Sequence, residues 1–172
     1  MVERFNLIVT CLRGQEPVAA SELGDLLREL GDPEPVVNVT KVAGLLTAKT
    51  SLDPFKVVEQ LRVITEQEPW RIGYLMRIIP VEEVVETKPE HIAKAVERLA
   101  DKIPADATYR VTVEKRHTQL SSKEIIEAAA SKVERKVNLE NPDWIVLIQV
   151  IGGVTGVAVI KPDQVISTMK KQ

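Results

Sequence analysis

Hydrophobic and polar positions along this chain follow two periods, one near two residues and one near three and a half. Phe5-Asn-Leu-Ile-Val-Thr-Cys11 is a short β-branched apolar run bounded by Arg13-Gly14, which predicts a strand. Ala19, Leu23, Leu26, Leu27 and Leu30 then recur at helical spacing. Pro17 suits the first turn of that helix and Gly31 its end. Val36–Val42 and Leu45–Thr50 predict two strands turning at Ala43-Gly44. Asp53-Pro54 is a cap followed by proline, and Phe55, Val58, Leu61 and Ile64 or Thr65 continue a second helix. Arg71–Ile79 alternates as a strand, ended by Pro80.

Beyond Val81–Glu86, which reads as a connector, Thr87 and Glu90 form a capping box. Ile92, Ala95, Val96, Leu99 and Ile103 make one apolar helical stripe. Tyr109, Val111 and Val113 alternate with Arg110, Thr112 and Glu114, so this strand has one buried and one polar face. Ser121 and Glu124 form a second capping box, opening a helix through Ile125, Ile126, Ala129, Ala130 and Val133. Trp144–Ile151 is almost wholly apolar, as for a strand covered on both faces, and Val154–Ile160 follows it after Gly152-Gly153. Lys170-Lys171-Gln172 reads as a frayed tail.

The fold class is therefore α+β. The order β-α-β-β-α-β over residues 1–80 matches a ferredoxin-like unit. Residues 87–172 form a second α/β unit, with 81–86 as the connector. That connector is short and poor in Gly and Ser, which predicts units that pack together.

Composition narrows the function. Aromatics are 3% of residues, too few for an array of rings stacking on single-stranded RNA. The single cysteine, Cys11, excludes an intrachain disulfide and ends an apolar run, as expected of a buried thiol in a reducing compartment. No signal peptide or membrane span is visible, so the expected location is the cytoplasm. Residues 1–86 hold 9 Lys/Arg against 14 Asp/Glu, net −5, and residues 87–172 hold 14 against 11, net +3. Phosphate contacts are accordingly expected in the second half.

The motifs give no catalytic constellation. The two histidines, His91 and His117, have no cysteine cluster beside them. Ser121 and Ser122 stand where helix caps are wanted, which explains both their type and their spacing to Glu124. Glu82, Glu83 and Glu86 lack regular metal-ligand spacing. Gly152-Gly153-Val-Thr-Gly156 has the wrong spacing for a dinucleotide fingerprint and reads as a turn between strands. Arg110–Lys136 carries seven Lys/Arg and four Glu, and Lys115-Arg116-His117 lies just before a helix start, where backbone N–H groups favour phosphate. By charge alone the segment is either a polar surface or a compact anion site.

A resemblance bears on that choice. Tyr109-Arg-Val-Thr-Val-Glu-Lys-Arg116, Ser121-Ser-Lys-Glu-Ile-Ile126 and Val137-Asn-Leu-Glu-Asn-Pro-Asp143 before the Trp144 strand resemble the THUMP family of tRNA-modification systems. Arg13-Gly14-Gln15-Glu16 with Glu22 resembles the branch containing adapters for tRNA N4-acetylcytidine formation. The resemblance implies a ferredoxin-like unit followed by a THUMP domain. It implies binding of the tRNA acceptor region and presentation to a separate RNA acetyltransferase. Such family members usually add a catalytic domain, and here the chain stops after the THUMP strands, so no chemistry, cofactor or metal is expected of it. Lys115, Arg116 and Lys123 fall on the family's basic positions, with Arg110 and His117 beside them. Arg77 and Lys161 are added from charge and placement. The alternative is a protein-interaction scaffold of a tRNA- or rRNA-modification complex, without RNA affinity of its own.

Overall fold

A computed structural model describes residues 4–168. Lys170-Lys171-Gln172, expected to fray, lies outside the described residues, as do Met1–Glu3. The elements in chain order begin β1 (Leu7–Thr10), α1 (Glu16–Glu29), β2 (Val36–Val39), β3 (Leu45–Lys49), α2 (Pro54–Gln67), β4 (Arg77–Pro80) and β5 (Glu83–Glu86). They continue α3 (Pro89–Leu99), β6 (Thr108–Arg116), α4 (Ser122–Ala130), β7 (Lys136–Val137), β8 (Trp144–Ile151), β9 (Val154–Ile160) and β10 (Ile166–Ser167). The chain divides into two compact units. One comprises Phe5–Val81 and the segment from Asp163, and the other Glu82–Pro162.

The first unit is a five-stranded sheet of order β10-β4-β1-β3-β2, antiparallel throughout. Leu7, Val9, Leu46, Ala48 and Ile78 line one face. Ala19, Leu23 and Leu27 of α1 and Val57, Val58 and Leu61 of α2 close over it in a single core. Their helical spacing is the reason: each helix turns one apolar stripe toward the sheet. Asp53 caps α2 by accepting from the Phe55 N–H at 2.9 Å. Cys11 is buried, and burial, then the charge of Glu16, pushes its thiol pKa up, away from thiolate chemistry.

Two carboxylates organise the loops. Asp32, only 2% exposed, accepts from the Thr50 hydroxyl at 2.6 Å and from the backbone N–H groups of Ser51 and Glu34 at 3.0 Å. Glu22 accepts from three consecutive backbone N–H groups, Gly73 at 2.6 Å, Tyr74 at 2.9 Å and Leu75 at 3.1 Å. This explains why β4 begins at Arg77 and not at Arg71 as the alternation predicted. The N–H groups of 73–75 bond a side chain, and Pro69–Arg71 forms a 3-10 turn.

Gly44 shows the tightest approach. Its φ is +75°, and a Cβ there would lie 2.7 Å from the carbonyl oxygen of Cys11. Its own carbonyl accepts from the Cys11 N–H at 2.9 Å, and its N–H donates to Glu16 at 2.9 Å. Gly44→Ala should therefore cost about 3 kcal/mol, from left-handed strain and a backbone clash together. Chemical denaturation checks this, and a loss below about 1 kcal/mol would mean that the turn relaxes freely.

The second unit is a sheet of order β5-β9-β8-β6-β7. β6 runs parallel to β7 and β8, while β9 is antiparallel to β8 and β5. Ile92 and Val96 of α3 and Ile125 and Ala129 of α4 share a core with Tyr109, Val146, Ile148 and Val157. Gly152, at φ +58°, makes the β8–β9 turn. In the Asn138–Asp143 segment, Asn138 Oδ1 accepts from the Glu140 and Asn141 N–H groups. Asp143 Oδ2 reaches the Thr108 N–H at 2.8 Å.

Three expectations change. Residues 83–86 are not a connector but β5, paired with β9. A four-residue strand with glutamates at both ends leaves no periodicity to detect, and only pairing makes it a strand. Thr87 does not cap α3: its hydroxyl bonds that of Thr155 at 2.9 Å, and Lys88 is the N-cap. Residues 163–168 belong to the first sheet. Ile166 is buried opposite Ile78, and the Thr168 N–H donates to the Met76 carbonyl at 2.7 Å.

Candidate nucleic-acid interface

The strand directions of the second unit bring both of its helix N-termini to one end of the sheet. β5 and β6 run the same way, and each feeds a helix, α3 and α4. The β8–β9 turn joins them there. The Gly152 N–H donates to the Arg116 carbonyl at 2.8 Å, and the Thr87 N–H to the Gly153 carbonyl at 3.0 Å. This end carries Lys88 as the N-cap of α3, Lys115 and His117 around the end of β6, and Lys123 in the first turn of α4.

Lys115 is exposed, and its Nζ donates to the Leu120 carbonyl at 3.1 Å. His117 is exposed with φ 57°, turning the chain out of the strand. The Lys123 side chain is 85% exposed, 3.9 Å from Glu127. Lys88 lies 3.3 Å from Glu86, both half exposed. Ser121 Oγ accepts from the Glu124 N–H at 3.1 Å, confirming that cap, whereas no side chain caps α3. Lys88 and Lys123 sit at the positive ends of helix dipoles, where cations are disfavoured and anions favoured. Glu90 and Glu124, in the same first turns, follow the dipole.

Arg116 departs from the expected pair. Adjacent strand residues point to opposite faces, so Lys115 and Arg116 diverge. The Arg116 side chain is 16% exposed, donating to Gln149 Oε1 at 2.7 Å and to Glu114 at 3.3 Å. Its guanidinium belongs to the sheet face opposite α4. Arg110, near the start of β6, donates to the Leu139 carbonyl at 3.0 Å. Lys161 lies after β9, at the far end of the sheet, 5.5 Å from the Trp144 ring centre. Arg77 lies in β4 of the first unit, its backbone N–H on Thr10 Oγ1 at 3.0 Å. Lys115, His117 and Lys123 are thus the expected residues gathered at one end. Lys88 was missed because β5 was read as a connector.

The charge picture shifts as well. Residues 82–162 hold 12 Lys/Arg and 13 Asp/Glu, so the excess expected of the second half does not belong to this unit. Among the described residues, no group of three or more His, Cys, Asp or Glu is placed to hold a metal ion. No helix there is long and apolar enough to cross a membrane.

Residues 86–160 match the family model of the THUMP domain. The second unit carries a THUMP domain. Its match runs from the last residue of β5 through α3, β6, α4, β7, β8 and β9, the elements that assemble the end described above. The chain as a whole is similar to the crystal structure of PH1313 from Pyrococcus horikoshii Ot3, with TM-score 0.65 and 20% identity over 92% of this chain and 55% of that one. It is similar to TrmN from Thermus thermophilus, with TM-score 0.60 and 17% identity over 91% and 45%. A 4-thiouridine synthetase in complex with RNA and bound ATP gives TM-score 0.54 and 15% identity over 92% and 42%. At these identities the likeness is one of fold. The chain spans about half the length of these proteins. No curated protein sequence matches it.

Proposed function

We propose that this chain is a tRNA-binding adapter without catalytic activity of its own. It holds the acceptor region of tRNA and presents the molecule to a separate RNA acetyltransferase for cytidine N4-acetylation, in the cytoplasm. The first unit is read as ferredoxin-like, since its strands run β4-β1-β3-β2 around two helices. One observation carries the RNA reading: a THUMP domain places Lys88 and Lys123 at two helix N-termini on the same end of one sheet, with Lys115 and His117 beside them. Lysines opposed to a helix dipole lower helix stability slightly, and a phosphate seated there reverses that effect. The fold shared with a 4-thiouridine synthetase solved with RNA supports the same reading.

The test is a binding titration with intact tRNA, tRNA lacking its 3′ end, and an unrelated hairpin, each at two salt concentrations. Intact tRNA should bind at least about tenfold more tightly than the other two, with affinity falling steeply as salt rises. Equal affinity for all three would reduce the interaction to general charge attraction. The second reading, a protein scaffold without RNA affinity, draws on the even balance of 12 cations and 13 acids over residues 82–162. It predicts no tRNA binding by the pure protein and capture of a modification enzyme after nuclease treatment.

A further inference from the structure

Two of the four aromatic residues in the first unit stand in water. Trp70 is 76% exposed and Tyr74 39% exposed. Both lie in the segment between α2 and β4, and that segment is firmly built. The Arg71 N–H donates to the Glu68 carbonyl at 2.9 Å, and the Ile72 N–H to the Pro69 carbonyl at 3.3 Å. The Arg71 guanidinium bonds Glu68 at 3.0 Å and also bonds Glu29 of α1. Glu22 holds the next three backbone N–H groups, those of residues 73–75. An ordered backbone thus keeps most of the Trp70 indole in solvent, where a large apolar ring is unfavourable.

Between this segment and α1 lies an open groove of about 400 Å³. Val18, Leu26 and Tyr74 give it an apolar wall, and Val18 is 41% exposed. Glu22, Asp25 and Glu29, at helical spacing on one stripe of α1, line it with carboxylates. Arg71 also lines it, and Trp70 directly precedes Arg71. With Arg28 and Glu68, which pair with Asp25 and Arg71, the groove and its rim hold four carboxylates and two guanidinium groups, net −2. The Asp25 and Glu29 side chains are 75% and 56% exposed, each with one ion-pair partner, so their oxygens keep acceptor capacity.

We propose that this groove docks a basic segment of another protein, one that carries arginine or lysine beside large aliphatic side chains. The partner's cations reach Asp25 and Glu29. Its aliphatic side chains cover Val18, Tyr74 and the Trp70 ring, and a cationic stem lying on the indole adds a cation–π attraction. Charge selects this occupant. A net negative groove repels a phosphate backbone, and a second copy presenting the same groove meets like charge. An exposed tryptophan on a pre-ordered backbone suits an anchor, because binding then freezes little that was free before. This inference is independent of the RNA reading.

Calorimetric titration of the full chain tests it, with a short synthetic peptide of alternating arginine and leucine as the probe. The contact lies at the small end of specific interfaces, so a Kd on the order of 10–100 µM is expected. The same peptide with glutamate in place of arginine should not bind. Trp70→Ala removes the anchoring ring and should raise Kd at least about tenfold. Asp25→Lys reverses a charge on the groove and should raise Kd by a similar factor. Both side chains are mostly in solvent, so the thermal midpoint should stay near wild type in each variant. A wild-type chain that ignores the basic peptide overturns the proposal, as does equal affinity for the two peptides. Full affinity in either variant overturns it as well. An oligouridylate that binds wild type and displaces the peptide overturns it too, because the surface then belongs to single-stranded RNA. tRNA binding should be the same in Trp70→Ala and wild type, so failure of the RNA reading is scored separately.

Discussion

Replacing Lys88, Lys115 and Lys123 together by Glu should weaken tRNA binding by about two orders of magnitude at low salt. It should also flatten the dependence of log affinity on log salt by about 2–3, the number of phosphate contacts removed. Each lysine sits on the end where α3, α4 and the β8–β9 turn meet. The fold should tolerate the change. Lys123 is 85% exposed and Lys115 is exposed, and glutamate at a helix start is favoured by the dipole that disfavours lysine. The thermal midpoint is therefore expected to stay near wild type. Arg116→Glu should behave in the opposite way, lowering the midpoint, because that guanidinium is 16% exposed and bonded to Gln149 and Glu114. Unchanged affinity in the triple variant, with a native midpoint, rejects this end as the RNA site.

Asp32→Ala should destabilise the first unit by about 3 kcal/mol, read by chemical denaturation. The carboxylate is buried and accepts from Thr50, Ser51 and Glu34, and its removal strands those donors. Burial alone would raise its pKa, but the hydrogen bonds from Thr50, Ser51 and Glu34 outweigh it, so the folded-state pKa lies below the ordinary value. A depressed carboxylate pKa means that stability is fully present above the unfolded pKa, about 4, and is lost as pH falls through the folded value. The stability gap between wild type and Asp32→Asn should hold above about pH 4 and narrow below it. A gap that widens on acidification would assign the stabilisation to the neutral acid.

Legibility in the sequence followed the range of the forces involved. The stripe Ala19, Leu23, Leu27 and the alternation Tyr109, Val111, Val113 announced a helix and a strand, because amphipathic burial repeats with the local backbone period. The Ser121 cap was readable for the same reason, since its bond to Glu124 spans three residues. Lys115 was singled out from charge near a helix start, and Lys123 from the family resemblance. Arg116 was misplaced by treating neighbours in a strand as neighbours in space. Glu22 was noticed as a family feature, but its bonds to residues 73–75 reach across about fifty positions that no local pattern connects.

The sequence by itself determined the α+β class, the helices and long strands and the Gly44 and Gly152 turns, since each depends on propensity or periodicity within a few residues. Only the tertiary structure decided that 83–86 is a strand, that residues 163–168 complete the first sheet, and that Lys88 joins Lys115 and Lys123 at one end of the second. Short strands have too few residues to show a period and exist because a distant partner supplies their hydrogen bonds. Which side chains converge follows from strand direction, and strand direction is fixed by pairing between distant segments.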